Sequence, residues 1–275
     1  FDLQADPAPV AAALTAEAGQ GFDLSREIPL REHLFEIADE QHADDEHEDA
    51  EHVLLIVLHH IAGDGWSLGP LARDLAAFYR ARCEGGAAGL SPLPVQYADY
   101  TLWQQAALGD ETDNASALSR QLSFWIEALA DLPDQIELPA DRPRPAVSSH
   151  RGGHVALHIG ADLHRGLAGL ARETGSSLFM VLHAGLSALL TRLGTGTDIP
   201  IGVPVAGRSE EALAGLVGFF VNTLVVRADT EGDPAFSTLI DRVRDTALNG
   251  LSHQDVPFER LVEALNAEAQ SKALP

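Results

Sequence analysis

"VLLIVLHHIAGDGWSLGPL", Val53 to Leu71, places two adjacent histidines at the end of an apolar run and an Asp-Gly pair four and five positions after the second. Val53–Leu58 is β-rich and nearly continuous in apolar residues, which predicts a strand buried on both faces. The turn residues Gly63, Asp64 and Gly65 end it. Ser67 is placed to cap a helix, Pro70 falls in its first turn, and Leu71, Leu75, Phe78 and Tyr79 recur at helical spacing to about Arg82. His59 and His60 therefore sit at a strand-to-helix junction.

Three readings of that junction compete. Adjacent histidines on extended chain project to opposite faces, so binding one metal ion would need a bend and a further donor that the sequence does not specify. A second reading is a plain strand end, with one packed histidine and a common Asp-Gly turn. In the third, one histidine faces a cleft while its neighbour packs behind it and the bend brings the Asp64 carboxylate back to brace the site. Imidazole titrates close to neutral pH, so such a histidine could take a proton from an amine or hydroxyl nucleophile in acyl transfer.

Outward from the junction, residues 8–19 are helical in pattern and "REHLFEIA" (31–38) reads as a strand. The acidic run between 39 and 52 reads as a solvated hairpin loop, and its histidines, His42, His47 and His52, lack a regular ligand spacing. Helices are expected near 96–107 and 116–130, followed by the proline-broken "ELPADRPRPAVSSHRGG" (137–153), the best linker candidate. Beyond it, "GHVALHI" (153–159) alternates like a strand, and two helices, an extended segment at 198–207, a strand across 217–229 and two closing helices follow. His183 falls on an apolar helix and reads as a core histidine with its polar atoms satisfied. The alternation favours a mixed α/β (α+β) fold in two lobes: 1–140 with the histidine pair, a linker at 141–152, and 153–275.

The 275 residues and 45% hydrophobic content suffice for a substantial core. A formal charge of −23 argues against nucleic acid and anionic membranes as partners. The single cysteine, Cys83, allows no intrachain disulfide, fits a reducing compartment, and reads as structural on its predicted helix. No stretch approaches the length of a transmembrane span and no signal peptide is evident, so a cytoplasmic location is expected.

"HHIAGDGWS" resembles the HHxxxDGxS signature of the condensation domains of nonribosomal peptide synthetases, a branch of the chloramphenicol-acetyltransferase-like acyltransferases. Three further motifs follow in that family's order. "YADYTLW" (Tyr97 to Trp103) is similar to YxD(F/Y)AVW, departing at Thr101 and Leu102; "VGFFVNTLVVR" (Val217 to Arg227) is similar to (I/V)GxFVNT; and "HQDVPFE" (His253 to Glu259) is similar to (H/N)QD(Y/V)PFE. The family's preceding SxAQxR and RHExLRTxF motifs and its final RDxSRNPL have no match, so the chain is expected to be the middle of a longer domain.

The resemblance implies two lobes, each a β-sheet covered by helices, with a tunnel between them. It implies peptide-bond formation between a carrier-bound donor aminoacyl or peptidyl thioester and a carrier-bound aminoacyl acceptor. Phosphopantetheine arms would come from upstream and downstream carrier domains, in a synthetase that also holds an adenylation domain. No metal or directly bound cofactor is implied. His60 would face the tunnel; His59, Asp64 and Gly65 would shape the site; Trp66, Ser67, Asn222 and Thr223 are candidate tunnel residues; and Arg208 is the candidate ion-pair partner of Asp64. Trp66 after the glycine leans towards an L-configured donor. The rival readings are an epimerization domain of the same fold and a non-catalytic carrier-docking scaffold.

Overall fold

A computed structural model describes residues 2–4, 7–38, 51–133, 135–149 and 152–273. The chain runs β1 (Asp2–Gln4), α1 (Pro7–Ala18), β2 (Leu30–Ala38), β3 (Glu51–Leu58), α2 (Leu68–Glu84), α3 (Tyr97–Leu108) and α4 (Ala117–Ala128). It continues through α5 (Ala161–Glu173), α6 (Leu178–Arg192), β4 (Asp198–Val205), β5 (Asn222–Asp229), α7 (Phe236–Leu251) and α8 (Phe258–Ala273). The architecture is mixed α/β. By contact density it divides into two units: residues 1–102 with 208–221, and residues 103–207 with 222–275. The division falls inside α3, not at the 141–152 segment, and a 14-residue excursion between β4 and β5 packs with the first unit.

In the first unit β1 pairs in parallel with β2, which pairs antiparallel with β3, in register from Leu30 opposite Leu58 to Ile37 opposite Glu51. The histidine junction is the continuation of β3, held to the start of β2 by a hydrogen bond from His59 N–H to the Pro29 carbonyl (3.0 Å). Burial of β3 on both faces is not realised. β3 is an edge strand among the described residues, and Leu54 (45% exposed) and its cross-strand partner Leu34 on β2 (62% exposed) share a face that no described element covers. The helix after the junction forms as its spacing predicts and ends on Gly85 in the left-handed conformation. Cys83 lies exposed on α2 and is not a packed structural thiol.

In the second unit β4 and β5 form an antiparallel pair whose alternate residues Val226 and Ala228, with Ile199, are buried against α6 and α7. Val181, Ala184, Leu239, Ile240 and Val243 supply the helical side of that core. A second cluster joins Leu122, Trp125 and Leu129 of the α4 region to Leu224, Val256 and Leu261. Ser177 caps α6, accepting from Met180 N–H at 3.2 Å.

Two strand expectations are corrected. Residues 153–159 do not form a strand: Val155 and Leu157 are 97% and 88% exposed, and alternation without a pairing edge does not make a ladder. The strand expected across 217–229 begins only at Asn222. Gly218 and Phe220 instead spend their N–H groups on side chains of the first unit. Most of the acidic run lies outside the described residues, at 39–50, and with it His42 and His47; His52 is exposed on β3.

Candidate active site

The turn after β3 folds back on itself. His59 accepts a hydrogen bond at Nδ1 from Ile61 N–H (3.0 Å), and its carbonyl accepts from Ala62 N–H (2.9 Å). The ring stands edge-on to Phe22, 5.7 Å between centroids. With Nδ1 committed as an acceptor, the neutral ring carries its proton on Nε2. His60 is exposed and makes no hydrogen bond with the described residues; its ring meets Phe219 at 5.2 Å in a T-shaped contact. The two neighbouring histidines thus have different environments: one is built into the turn and the other is presented.

Asp64 does not brace either histidine. Its Oδ1 accepts from Ser67 N–H (2.9 Å) and Arg208 Nη2 (3.1 Å), and its Oδ2 accepts from Phe220 N–H (3.1 Å). The ion pair is closed to solvent, with side chains 3% exposed for Arg208 and 0% for Asp64. Burial pushes the Asp64 carboxyl up, but the hydrogen bonds from Phe220, Ser67 and Arg208 outweigh it, and the net shift is downward. Arg208 reaches further. Its Nη1 donates to the carbonyls of Leu213 (2.6 Å) and Leu216 (2.9 Å), and its guanidinium lies 4.0 Å from the centre of the Phe220 ring.

Ser67 completes this clasp, and its expected role as a helix cap is corrected. The hydroxyl makes no capping bond; it is fully buried, 2.8 Å from Asp64 Oδ1 and 2.9 Å from the Gly218 carbonyl, with one proton to give to either. It accepts from Gly218 N–H (3.1 Å) and Arg208 Nη2 (3.0 Å). Two polar partners within the excursion outbid the local helix end. The clasp therefore ties the Asp-Gly turn to residues 208–220, all within the first unit.

Tyr97 holds the same strip from another side. Its hydroxyl donates to the Phe219 carbonyl (2.6 Å), and its ring meets Phe220 at 5.1 Å. A Cβ on Gly218 would lie 2.3 Å from Tyr97 Cδ2, so this position requires glycine. Burial raises the Tyr97 hydroxyl, and the Asp64 charge adds to the rise. Gly65, by contrast, has open space where a side chain would go. Trp66 beside it is 59% exposed.

In the second unit Asn222 is a brace. Its Nδ2 donates to the carbonyls of Gln254 (2.8 Å) and Val256 (2.7 Å), and its Oδ1 accepts from Phe258 N–H (3.0 Å) and Thr223 N–H (2.9 Å). Gln121 exchanges two hydrogen bonds with Asp255, and Trp125 Nε1 donates to the His253 carbonyl (2.8 Å). Thr223 is half-buried opposite Pro204.

Residues 2–274 match the family model of the condensation domain. The chain belongs to the condensation-domain family. Over 254 residues it is 56% identical to CymA of Salinispora arenicola, a "probable non-canonical nonribosomal peptide synthetase", and over 252 residues it is 54% identical to a dimodular nonribosomal peptide synthase of Bacillus subtilis. Each match takes in 92% of this chain but only 3% and 10% of those relatives' lengths. Among solved structures, the X-domain from teicoplanin biosynthesis in its complex with OxyB superposes with a TM-score of 0.87 at 37% identity, covering 97% of this chain and 56% of that one. The fold is thus the chloramphenicol-acetyltransferase-like fold of condensation domains.

Within this condensation domain the sequence-selected residues fall into three groups. His60 and Trp66 are presented to solvent. Asp64, Ser67 and Arg208 form a sealed clasp, and His59 Nδ1 and the Asn222 amide are spent on backbone. Phe219, beside His60, was not selected by sequence reasoning, because an aromatic inside an apolar run carries no local signal of what it faces. Among the described residues no group of three or more His, Cys, Asp or Glu is arranged to hold a metal ion. No single helix among them is long and apolar enough to cross a membrane.

Proposed function

We propose that, in the intact synthetase, this condensation domain joins a carrier-bound donor aminoacyl or peptidyl thioester to a carrier-bound aminoacyl acceptor in the cytoplasm. The acceptor's α-amine attacks the donor carbonyl, the C–N bond forms, the C–S bond breaks, and the proton leaving nitrogen balances the thiolate released on the donor's phosphopantetheine arm. Upstream and downstream carrier domains bring the two arms, and a neighbouring adenylation domain loads them. The chain's own contribution is His60 at the reacting amine. An α-amine titrates near 8, so a fraction is neutral at working pH, and His60 acts by accepting the remaining proton or by orienting the lone pair. The exposed Trp66 borders the substrate path.

The observation that carries this reading is the contrast between the two histidines. Of the pair, only His60 is exposed with both ring nitrogens free of protein partners among the described residues, on a turn that a buried clasp holds rigid. A second reading, a docking scaffold without turnover, draws on the X-domain, which is 37% identical and was solved in a complex with another protein.

The test is condensation by the intact synthetase with defined donor and acceptor thioesters, wild type beside His60→Ala, with dipeptidyl carrier detected by mass spectrometry. Product from the wild type and a loss of about 10²-fold or more in the folded variant is expected. Equal product from both removes His60 from the chemistry. An inverted α-carbon without a new bond assigns epimerization, and carrier binding with neither product assigns the scaffold.

A further inference from the structure

Resting on that reading of His60, we infer that Phe219 is the positioning residue that sets the orientation of the His60 ring, and that the Tyr97 hydroxyl holds Phe219 in place to do so. His60 has no polar partner among the described residues to fix its side chain. Its ring contact is Phe219, edge to face at 5.2 Å and 87°. An exposed imidazole with free nitrogens would otherwise sample several rotamers, and an oriented attack needs one of them.

Phe219 is suited to this because its backbone is fixed at three consecutive residues. Gly218 N–H donates to Ser67 Oγ (3.1 Å), the Phe219 carbonyl accepts from Tyr97 Oη (2.6 Å), and Phe220 N–H donates to Asp64 Oδ2 (3.1 Å). Ser67 and Asp64 lie on the same turn that carries His60. The histidine and the ring against it are thereby referenced to the same buried carboxylate and hydroxyl, so their separation is set by a closed loop of short bonds. The Tyr97 ring occupies the space left by the missing side chain of Gly218, which places its hydroxyl at the Phe219 carbonyl.

The experiment uses the intact synthetase with Phe219→Leu, Phe219→Met, Phe219→Tyr and Tyr97→Phe. Two readouts are taken: condensation resolved into kcat and acceptor KM, and the rate at which diethyl pyrocarbonate modifies His60, followed by peptide mass spectrometry. Removal of the ring in the Leu and Met variants is expected to lower kcat by about tenfold to a hundredfold with acceptor KM within about twofold. Modification of His60 should speed up several-fold in both. The Tyr variant, which keeps the ring, is expected to restore both values, and Tyr97→Phe to fall between. Unchanged kcat and unchanged modification in the Leu and Met variants overturns the inference. If the wild type makes no peptide bond, the condensation reading fails, and the modification rates alone decide whether Phe219 orients His60.

Discussion

Removing the charge of Asp64 leaves Arg208 buried with its guanidinium facing an amide. A buried pair is worth little against an apolar pair of the same shape, because desolvation consumes the Coulombic gain; breaking it is what costs, by about 3–5 kcal/mol. Asp64→Asn should therefore open the clasp locally, speeding amide hydrogen exchange at Phe220 by about a hundredfold or more, with His60 exchange and solvent access altered in step. Arg208→Lys should do nearly as much, since an ammonium cannot reach Asp64, Leu213 and Leu216 together as the guanidinium does. Exchange at Phe220 within about threefold of the wild type in Asp64→Asn would show that the network carries no local stability. Asp64 was conspicuous in the sequence through its Asp-Gly turn, and Arg208 was named beside it. Ser67 was misread as a cap, because helix-start spacing reports only the local partner and not a Gly218 carbonyl 151 residues away.

At the scale of elements, the (I/V)GxFVNT segment is one motif serving two units. Val217–Val221 is bound to the Asp-Gly turn and Tyr97, and only from Asn222 does the chain become β5. A run of apolar residues with strand propensity cannot show this switch, since the ladder is replaced by bonds to side chains distant in sequence. The same limit applies to residues 153–159, whose alternation found no partner edge, whereas β4, β5 and α6 followed their periodicity because their own residues bury against one another. Asn222 supplies the prediction at this scale. Both its amide protons point at backbone carbonyls, so Asn222→Asp sets a carboxylate against Gln254 and Val256 oxygens. The change is nearly isosteric, yet it should cost about 2 kcal/mol and raise exchange across 254–258 by roughly thirtyfold. Unchanged protection there would mean that Gln121 and Trp125 hold the loop without it.

For the molecule as a whole, acid acts in opposite senses. The formal charge of −23 repels itself, and lowering the pH towards the sequence pI of about 4.7 relieves that repulsion. Against this stands His183 on α6, 5% exposed, with Nε2 buried and unpartnered and Nδ1 3.5 Å from Ser187 Oγ. Burial lowers its pKa below the ordinary 6.5. The unfolded chain then takes up a proton at a pH where the folded chain does not, so stability from this residue is present above 6.5 and is lost as the pH falls below it towards the depressed folded value. Asp64 has the opposite chemistry and a lower window: its depressed carboxyl contributes above 3.8 and loses that contribution only as the pH drops further. The two windows separate in a comparison of wild type with His183→Leu, in which the overall charge effect cancels. Between about pH 7 and 5 the wild type should lose stability relative to the variant, seen as faster exchange along α6, while Phe220 stays protected until the carboxylate range. The slope and not the offset is the measurement, so a variant that is uniformly weaker still decides it. Parallel slopes through that range would mean that His183 is protonated equally in both states, and that the unpartnered nitrogen meets water in solution.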